Sequence, residues 1–170
     1  MLLIRQATPD DLFTLHAIGI ATYRAHFSHL WQQPEEMDAF LAKDFAVPAL
    51  ENTLQDPRTC WLLAYQDDTP VGYARVNHGS RMGEGDIVGA ELQKIYFLPE
   101  CAGQGYGKQL FQHVQDEAVQ QRQATLWLEV LKLNPSAIRF YQRNGLTIQG
   151  ETQIASAQGA IELWYMAKTL

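Results

Sequence analysis

Along the 170-residue chain, short apolar blocks of strand-like period alternate with longer stretches in which apolar residues recur every three or four positions. Leu2–Ala7 is expected as a first strand. Thr8-Pro9-Asp10-Asp11 then has the composition of a helix start, with Thr as cap, Pro at the first helical position and acids in the first turn. That helix is expected to reach about Tyr23 and to turn Leu12, Leu15 and Ile18 inward. From Arg24 to Asp56 the pattern is less regular, with a second helix from about Pro34 to Phe45 and a third, after Pro48, to about Gln55. Thr59–Gln66 and Val71–His78 are expected to pair as a hairpin across Asp67-Asp68-Thr69-Pro70. Gly79–Gly89 is polar and glycine-rich, the composition of a mobile connection. Leu92–Leu98 is a further strand, Gly105–Arg122 a helix and Thr125–Lys132 a strand. Asn134-Pro135 opens a helix to about Asn144 that ends at Gly145, and strands follow from Leu146 and over Ala160–Lys168. Helices that separate the central strands, with an antiparallel pair at the end, make an α/β order.

The stretch Glu91–Lys108, ELQKIYFLPECAGQGYGK, has its own chemistry. An apolar strand is stopped by Pro99 and followed by Gly103, Gly105 and Gly107 at alternate positions, then by a helix. Glycine lets successive backbone N–H groups converge on one point, and the helix adds the positive end of its dipole, so the turn suits a polyanion such as a pyrophosphate. Two familiar cradles are excluded by spacing. A dinucleotide fingerprint requires a third glycine where Lys108 stands, and a P-loop requires glycine at Ala102 and Ser or Thr at Gln109.

Composition narrows the rest. The length fits one domain, residues 1–170, with 46% hydrophobic and 19% charged residues, no repeat and no apolar run of transmembrane length. The N-terminus becomes charged too early for a signal peptide, and Cys60 and Cys101 do not form a disulfide framework, so a cytoplasmic location is expected. Cys60 opens a strand and is expected in the core, whereas Cys101 falls in the glycine loop and is expected to be more exposed. His26 and His29 form an H-x-x-H with nothing to complete a metal site, so they read as a surface helix and no metal is expected. A net charge of −6 argues against nucleic acid as a partner and is compatible with a cationic one.

The glycine turn, Ala102-Gly103-Gln104-Gly105-Tyr106-Gly107, resembles the pyrophosphate loop of the GCN5-related N-acetyltransferases, [RQ]-x-x-G-x-[GA], with Ala102 in place of Arg or Gln. The run WLEVLKLNPSAIRFYQRNGL is similar to the same family's second signature, met by Asn134, Ala137, Phe140, Tyr141, Gly145 and Leu146. The resemblance implies a mixed, mostly antiparallel sheet flanked by helices, its central strands splayed at the acetyl-CoA site. It also implies acetyl-CoA as donor and a primary amine as acceptor, with direct transfer between them. The segments Ala21-Thr22-Tyr23, Glu36-Met37 and Leu54-Gln55-Asp56-Pro57, with Glu91–Tyr96, are similar to the bacterial polyamine N-acetyltransferase-like branch, which implies an acceptor such as spermidine. Peptide N-termini, other small amines, and a CoA-binding regulator without turnover are the alternatives. A homodimer is compatible with each, and no membrane partner is expected.

The resemblance also assigns residues. The backbone of Ile95, Tyr96 and Phe97 would pair with the pantetheine arm, Gly103, Gln104, Gly105, Tyr106, Gly107 and Lys108 would hold the pyrophosphate, and Asn134 would contact the CoA arm. Tyr141 matches the tyrosine whose hydroxyl protonates the leaving thiolate, a task suited to a phenol of pKa about 10. An amine of pKa about 10.4 must also lose a proton, at a cost of about 4.6 kcal/mol near neutral pH. Glu91 and Glu129 each stand where a branch of the family has its base, and either can act directly or through water. Glu35, Glu36 and Asp38 are further carboxylates for the remote ammonium groups of a polyamine.

Overall fold

The computed structural model describes residues 1–156 and 159–170. Their strands hydrogen-bond in the order β1-β2-β3-β4-β5-β7-β6, a mixed sheet of seven. The strands are β1 (Leu2–Gln6), β2 (Thr59–Gln66), β3 (Thr69–Arg81), β4 (Val88–Phe97), β5 (Thr125–Leu131), β6 (Thr147–Ser156) and β7 (Gly159–Thr169). The helices are α1 (Leu12–Phe27), α2 (Pro34–Asp44), α3 (Val47–Gln55), α4 (Tyr106–Gln120) and α5 (Pro135–Arg143). No helix among the described residues is long and apolar enough to cross a membrane. The chain divides into two compact units, Met1–Val76 with Lys94–Val114, and Asn77–Gln93 with Gln115–Leu170.

In the first unit β1 pairs antiparallel with β2, Leu2 opposite Gln66 and Gln6 opposite Leu62. The turn before α1 is tied by Asp11, whose carboxylate accepts two 2.8 Å bonds from Arg5 and one from the Thr8 N–H. The Arg5 hydrogen bonds are the main reason that the Asp11 carboxyl is held at about 2. Leu15 and Ile18 of α1, Leu41 and Phe45 at α2, and Trp61, Leu63 and Tyr73 of the sheet form one buried cluster. Gly19 lets α1 approach Phe45, because a Cβ there would lie 2.3 Å from the ring. The helix runs to Phe27, four residues beyond the expected end, since Tyr23, His26 and Phe27 find ring partners.

Gly72 matters in the same way. A Cβ on it would lie 2.5 Å from the Phe97 ring and 2.8 Å from the Tyr96 carbonyl oxygen. Gly72→Val is therefore expected to displace the end of β4 and to cost about 1–3 kcal/mol. Denaturant unfolding checks this, with a lower midpoint and an unchanged m-value as the expected result.

In the second unit β4 and β5 pair in parallel through Ala90–Leu126 and Glu91–Trp127, and β7 lies antiparallel to both β5 and β6. Two expectations are corrected. Gly79–Gly89 is not a loose connection: Gly79–Arg81 continue β3, Val88 and Gly89 begin β4, and the Met82 N–H closes the hairpin on the Ile87 carbonyl at 2.9 Å. Met82 is buried there with Trp127 and Ala167, so apolar anchors hold a segment whose composition alone looked mobile. Cys101, in the first unit, is only 4% exposed and packs with Ala64 and Val71, because the turn after β4 folds inward before the glycines begin. Burial raises its thiol pKa, and Glu100 adds to the shift.

Candidate active site

In the first unit the end of β4 passes into the glycine turn. After Phe97, a single 3-10 turn, Pro99–Cys101, seats Cys101 in the core and leaves Ala102, Gly103, Gln104 and Gly105 exposed. Gly103 and Gly105 have φ of +79° and +75°, and among the described residues nothing beyond the adjoining residues of the chain lies within 4 Å of a Cβ built on either. Glycine is thus required here by conformation, and the space above the backbone is open to a ligand. The α4 helix starts at Tyr106, and its first carbonyl partner, Gly105, accepts from the Gln109 N–H. The N–H groups ahead of Gln109 have no partner within the helix, which suits a diphosphate. The three glycines are not equivalent: Gly107 lies in the first turn of α4 without a positive φ. Lys108 is exposed in the same turn.

Ile95, Tyr96 and Phe97 are half-buried. The Phe97 carbonyl accepts a 2.6 Å bond from His26 Nε2, and the Leu98 N–H donates to the Val71 carbonyl at 2.9 Å. Because a carbonyl only accepts, Nε2 carries the hydrogen. His26 is therefore no mere surface residue, as the H-x-x-H pattern had suggested. Burial pushes the Tyr96 phenol up to about 12.

The second unit holds the carboxylates. Pairing of Glu91 with Trp127 puts the two on one face of the sheet, and the two-residue period returns Glu129 to that face beside its partner Tyr165. Glu91 Oε1 accepts from Asn77 Nδ2 at 3.0 Å and from Ser80 Oγ at 3.4 Å. Trp127 Nε1 donates to the Ser80 carbonyl, fixing that strand beside the pair. The Glu129 side chain reaches solvent, yet its carboxyl is raised above the usual carboxylate range, first by desolvation and then by the charge of Glu91.

Asn134 caps α5, its Oδ1 accepting from the Ala137 N–H at 3.2 Å, and is exposed. Tyr141 is half-buried on the same helix, its ring edge-on to Phe140 at 5.5 Å. The far end of α5 is tied by Lys168, which donates to the Asn144 carbonyl and to Gln115 Oε1. A cation on the last carbonyls also complements the helix dipole.

The residues assigned from sequence thus fall into two groups. Ile95–Phe97 and Gly103–Lys108 come together in the first unit, and Glu91, Glu129, Asn134 and Tyr141 belong to the second. The contacts of His26, Asn77, Ser80 and Lys168 are not visible in the sequence, because each has its partner at a distance in the chain. Of the further carboxylates expected to meet a polyamine, Asp38 pairs with Arg24 at 2.9 Å, and nearby Asp44 pairs with Lys94 at 2.8 Å. Glu35 and Glu36 remain exposed, and Tyr23, Phe27, Trp31 and Phe40 form a run of ring contacts in that region.

A strand that ends in an open, glycine-lined helix N-terminus suits the diphosphate of a nucleotide-bearing cofactor such as CoA, and the chain also carries two carboxylates on one sheet face. The sequence profile of the acetyltransferase (GNAT) family matches residues 22–146, and the chain belongs to that family. It is an N-acetyltransferase of the GNAT type with acetyl-CoA as donor. An uncharacterized N-acetyltransferase of Mycobacterium tuberculosis is 32% identical over 117 residues, 69% of this chain and 71% of that one. The PaiA N-acetyltransferase of Thermoplasma acidophilum, solved with coenzyme A, is 18% identical and superimposes over 100% of this chain and 99% of its own with a TM-score of 0.77. A ribosomal-protein-alanine N-acetyltransferase from Brucella melitensis is 25% identical, with a TM-score of 0.71 over 99% of each chain.

Proposed function

We propose that this chain transfers acetyl directly to a primary amine of a small polycation such as spermidine, with Glu129 taking the amine proton and Tyr141 protonating the leaving sulfur. The observation that carries the reading is the Glu91 and Glu129 pair on one sheet face. Bound acetyl-CoA supplies an activated thioester. Gly103–Lys108 hold its diphosphate, Ile95–Phe97 its pantetheine arm, and Asn134 contacts that arm through its amide. Glu91, held by Asn77 and Ser80, attracts the ammonium form of the acceptor. A raised carboxyl makes Glu129 the better matched base, since efficiency rises as the pKa of the base approaches the working pH.

This division has a pH signature. Glu129 acts only when ionised, so kcat/KM falls as pH drops through its raised pKa. Glu91→Gln removes the neighbouring negative charge that contributes to the shift, so the acid limb of the profile is expected to move to lower pH with turnover retained. Turnover abolished in Glu91→Gln, with Glu129→Gln active, would reverse the two roles.

A second reading, a peptide N-terminus as acceptor, draws support from the pairing of Asp38 and Asp44 with Arg24 and Lys94, which removes carboxylates a polyamine would use. The likeness to a ribosomal-protein-alanine N-acetyltransferase points the same way. Thiol release from acetyl-CoA decides between them with spermidine, a neutral-tailed alkylamine and an alanine-initiated peptide. Spermidine is expected to exceed the alkylamine at least tenfold in kcat/KM and to lose that advantage in salt. Equal efficiency for the two amines sinks the polyamine reading, and a dominant peptide rate establishes the second.

A further inference from the structure

We infer that His26 is a positioning residue for the donor site, clamping the last peptide of β4 in the orientation from which the cradle turn departs. The inference rests on the reading that the end of β4 and the glycine turn hold acetyl-CoA. Both polar atoms of the Phe97–Leu98 peptide are engaged. The carbonyl oxygen of Phe97 accepts from His26 Nε2 at 2.6 Å, and the N–H of Leu98 donates to the Val71 carbonyl at 2.9 Å. A peptide plane held at opposite edges has no freedom to rotate, so the directions of the preceding Tyr96–Phe97 backbone and of the following Pro99–Cys101 turn are set together.

The clamp is supported from behind. The His26 ring lies 6.2 Å from both Phe27 and Tyr96, and Phe27 meets Tyr96 edge-on at 5.6 Å. Packing of this kind restricts the imidazole to the orientation that reaches Phe97. The α1 helix thereby acts on the donor site through one hydrogen bond, and His26 needs no contact with acetyl-CoA to do so.

The test uses three variants of the full chain. His26→Phe keeps a ring against Phe27 and Tyr96 but has no donor, His26→Gln places an amide N–H near the position of Nε2, and His26→Asn carries a donor too short to reach. His26→Phe and His26→Asn are expected to raise the acetyl-CoA KM and the calorimetric Kd for CoA about tenfold, the scale of one well-placed hydrogen bond. Their kcat should stay within about threefold of wild type, and His26→Gln should bind CoA within about threefold of wild type. Hydrogen exchange over residues 94–99 without CoA is expected to quicken in the Phe and Asn variants and not in Gln. If His26→Phe does not fold, the Asn and Gln pair carries the same comparison. Wild-type CoA affinity in the Phe and Asn variants, or equal impairment in all three, overturns the positioning role. Faster exchange in a protein whose wild type binds no CoA would leave the clamp standing and remove the donor-site reading instead.

Discussion

Tyr141→Phe is expected to lower kcat by about 10²–10⁴ while the Kd for CoA and the melting temperature change little. The substitution keeps the ring that packs edge-on against Phe140 and removes only the hydroxyl. The leaving thiolate is then expelled without a positioned proton donor, which places the whole loss in the chemical step. Transition-state stabilisation lost in this way appears equally in kcat and kcat/KM. A solvent-supplied proton is the fallback, so a more acidic leaving thiol should suffer less from the mutation than CoA does. Stopped-flow thiol release with the two donors checks both parts. Wild-type kcat in Tyr141→Phe would reduce Tyr141 to a packing residue of α5.

Gly105→Val is expected to abolish measurable CoA binding, or to weaken it by about 10²–10⁴, in a protein that still folds. Two effects combine. At φ +75° a β-branched residue is strained by about 1–3 kcal/mol, so the turn will leave its present geometry. The backbone donors that converge on the diphosphate are then misdirected, and charge-assisted hydrogen bonds are worth about 1.5–3 kcal/mol each. Packing does not add to the penalty, since among the described residues nothing beyond the adjoining residues of the chain lies within 4 Å of a Cβ at Gly105. Gly107→Ala is the contrasting case, because its backbone is already helical and Ala is the better helix former by about 1 kcal/mol. Calorimetry on the two variants separates a cradle that needs glycine geometry from one that needs only small residues. Unchanged CoA affinity in folded Gly105→Val would exclude the turn from donor binding.

The features legible in the linear chain are those written in local backbone chemistry. Positive φ at Gly103 and Gly105 follows from glycine at a strand-to-helix turn, and the Asn134 cap with Gly145 at φ +92° follows from the start and stop signals of one short helix. The strand-helix-strand order around α4 is legible too and supplies the crossover that parallel neighbours require, but that β4 and β5 pair at all was decided by the fold. Even the face shared by Glu91 and Glu129 depends on the two-residue period of a strand, although the register that pairs Glu91 with Trp127 had to come from the fold.

Tertiary structure alone decided how the charges and polar groups were spent. Asp38 and Asp44 look as available in sequence as Glu35 and Glu36, yet Arg24 and Lys94 reach them from 14 and 50 residues away. Asn77 holds Glu91 across 14 residues, and His26 reaches Phe97 across 71. The composition of Gly79–Gly89 suggested mobility, but Met82 found Trp127 and Ala167, and Gly89 came so close to the Thr125 carbonyl that a Cβ would stand 2.3 Å from it. The reason for the divide is range. Dihedral preferences and caps act within a turn or two of the residue that carries them, so they can be read in order along the chain. A hydrogen bond or ion pair between distant segments exists only once packing has brought its partners within about 3 Å, and no local pattern records which partner that will be.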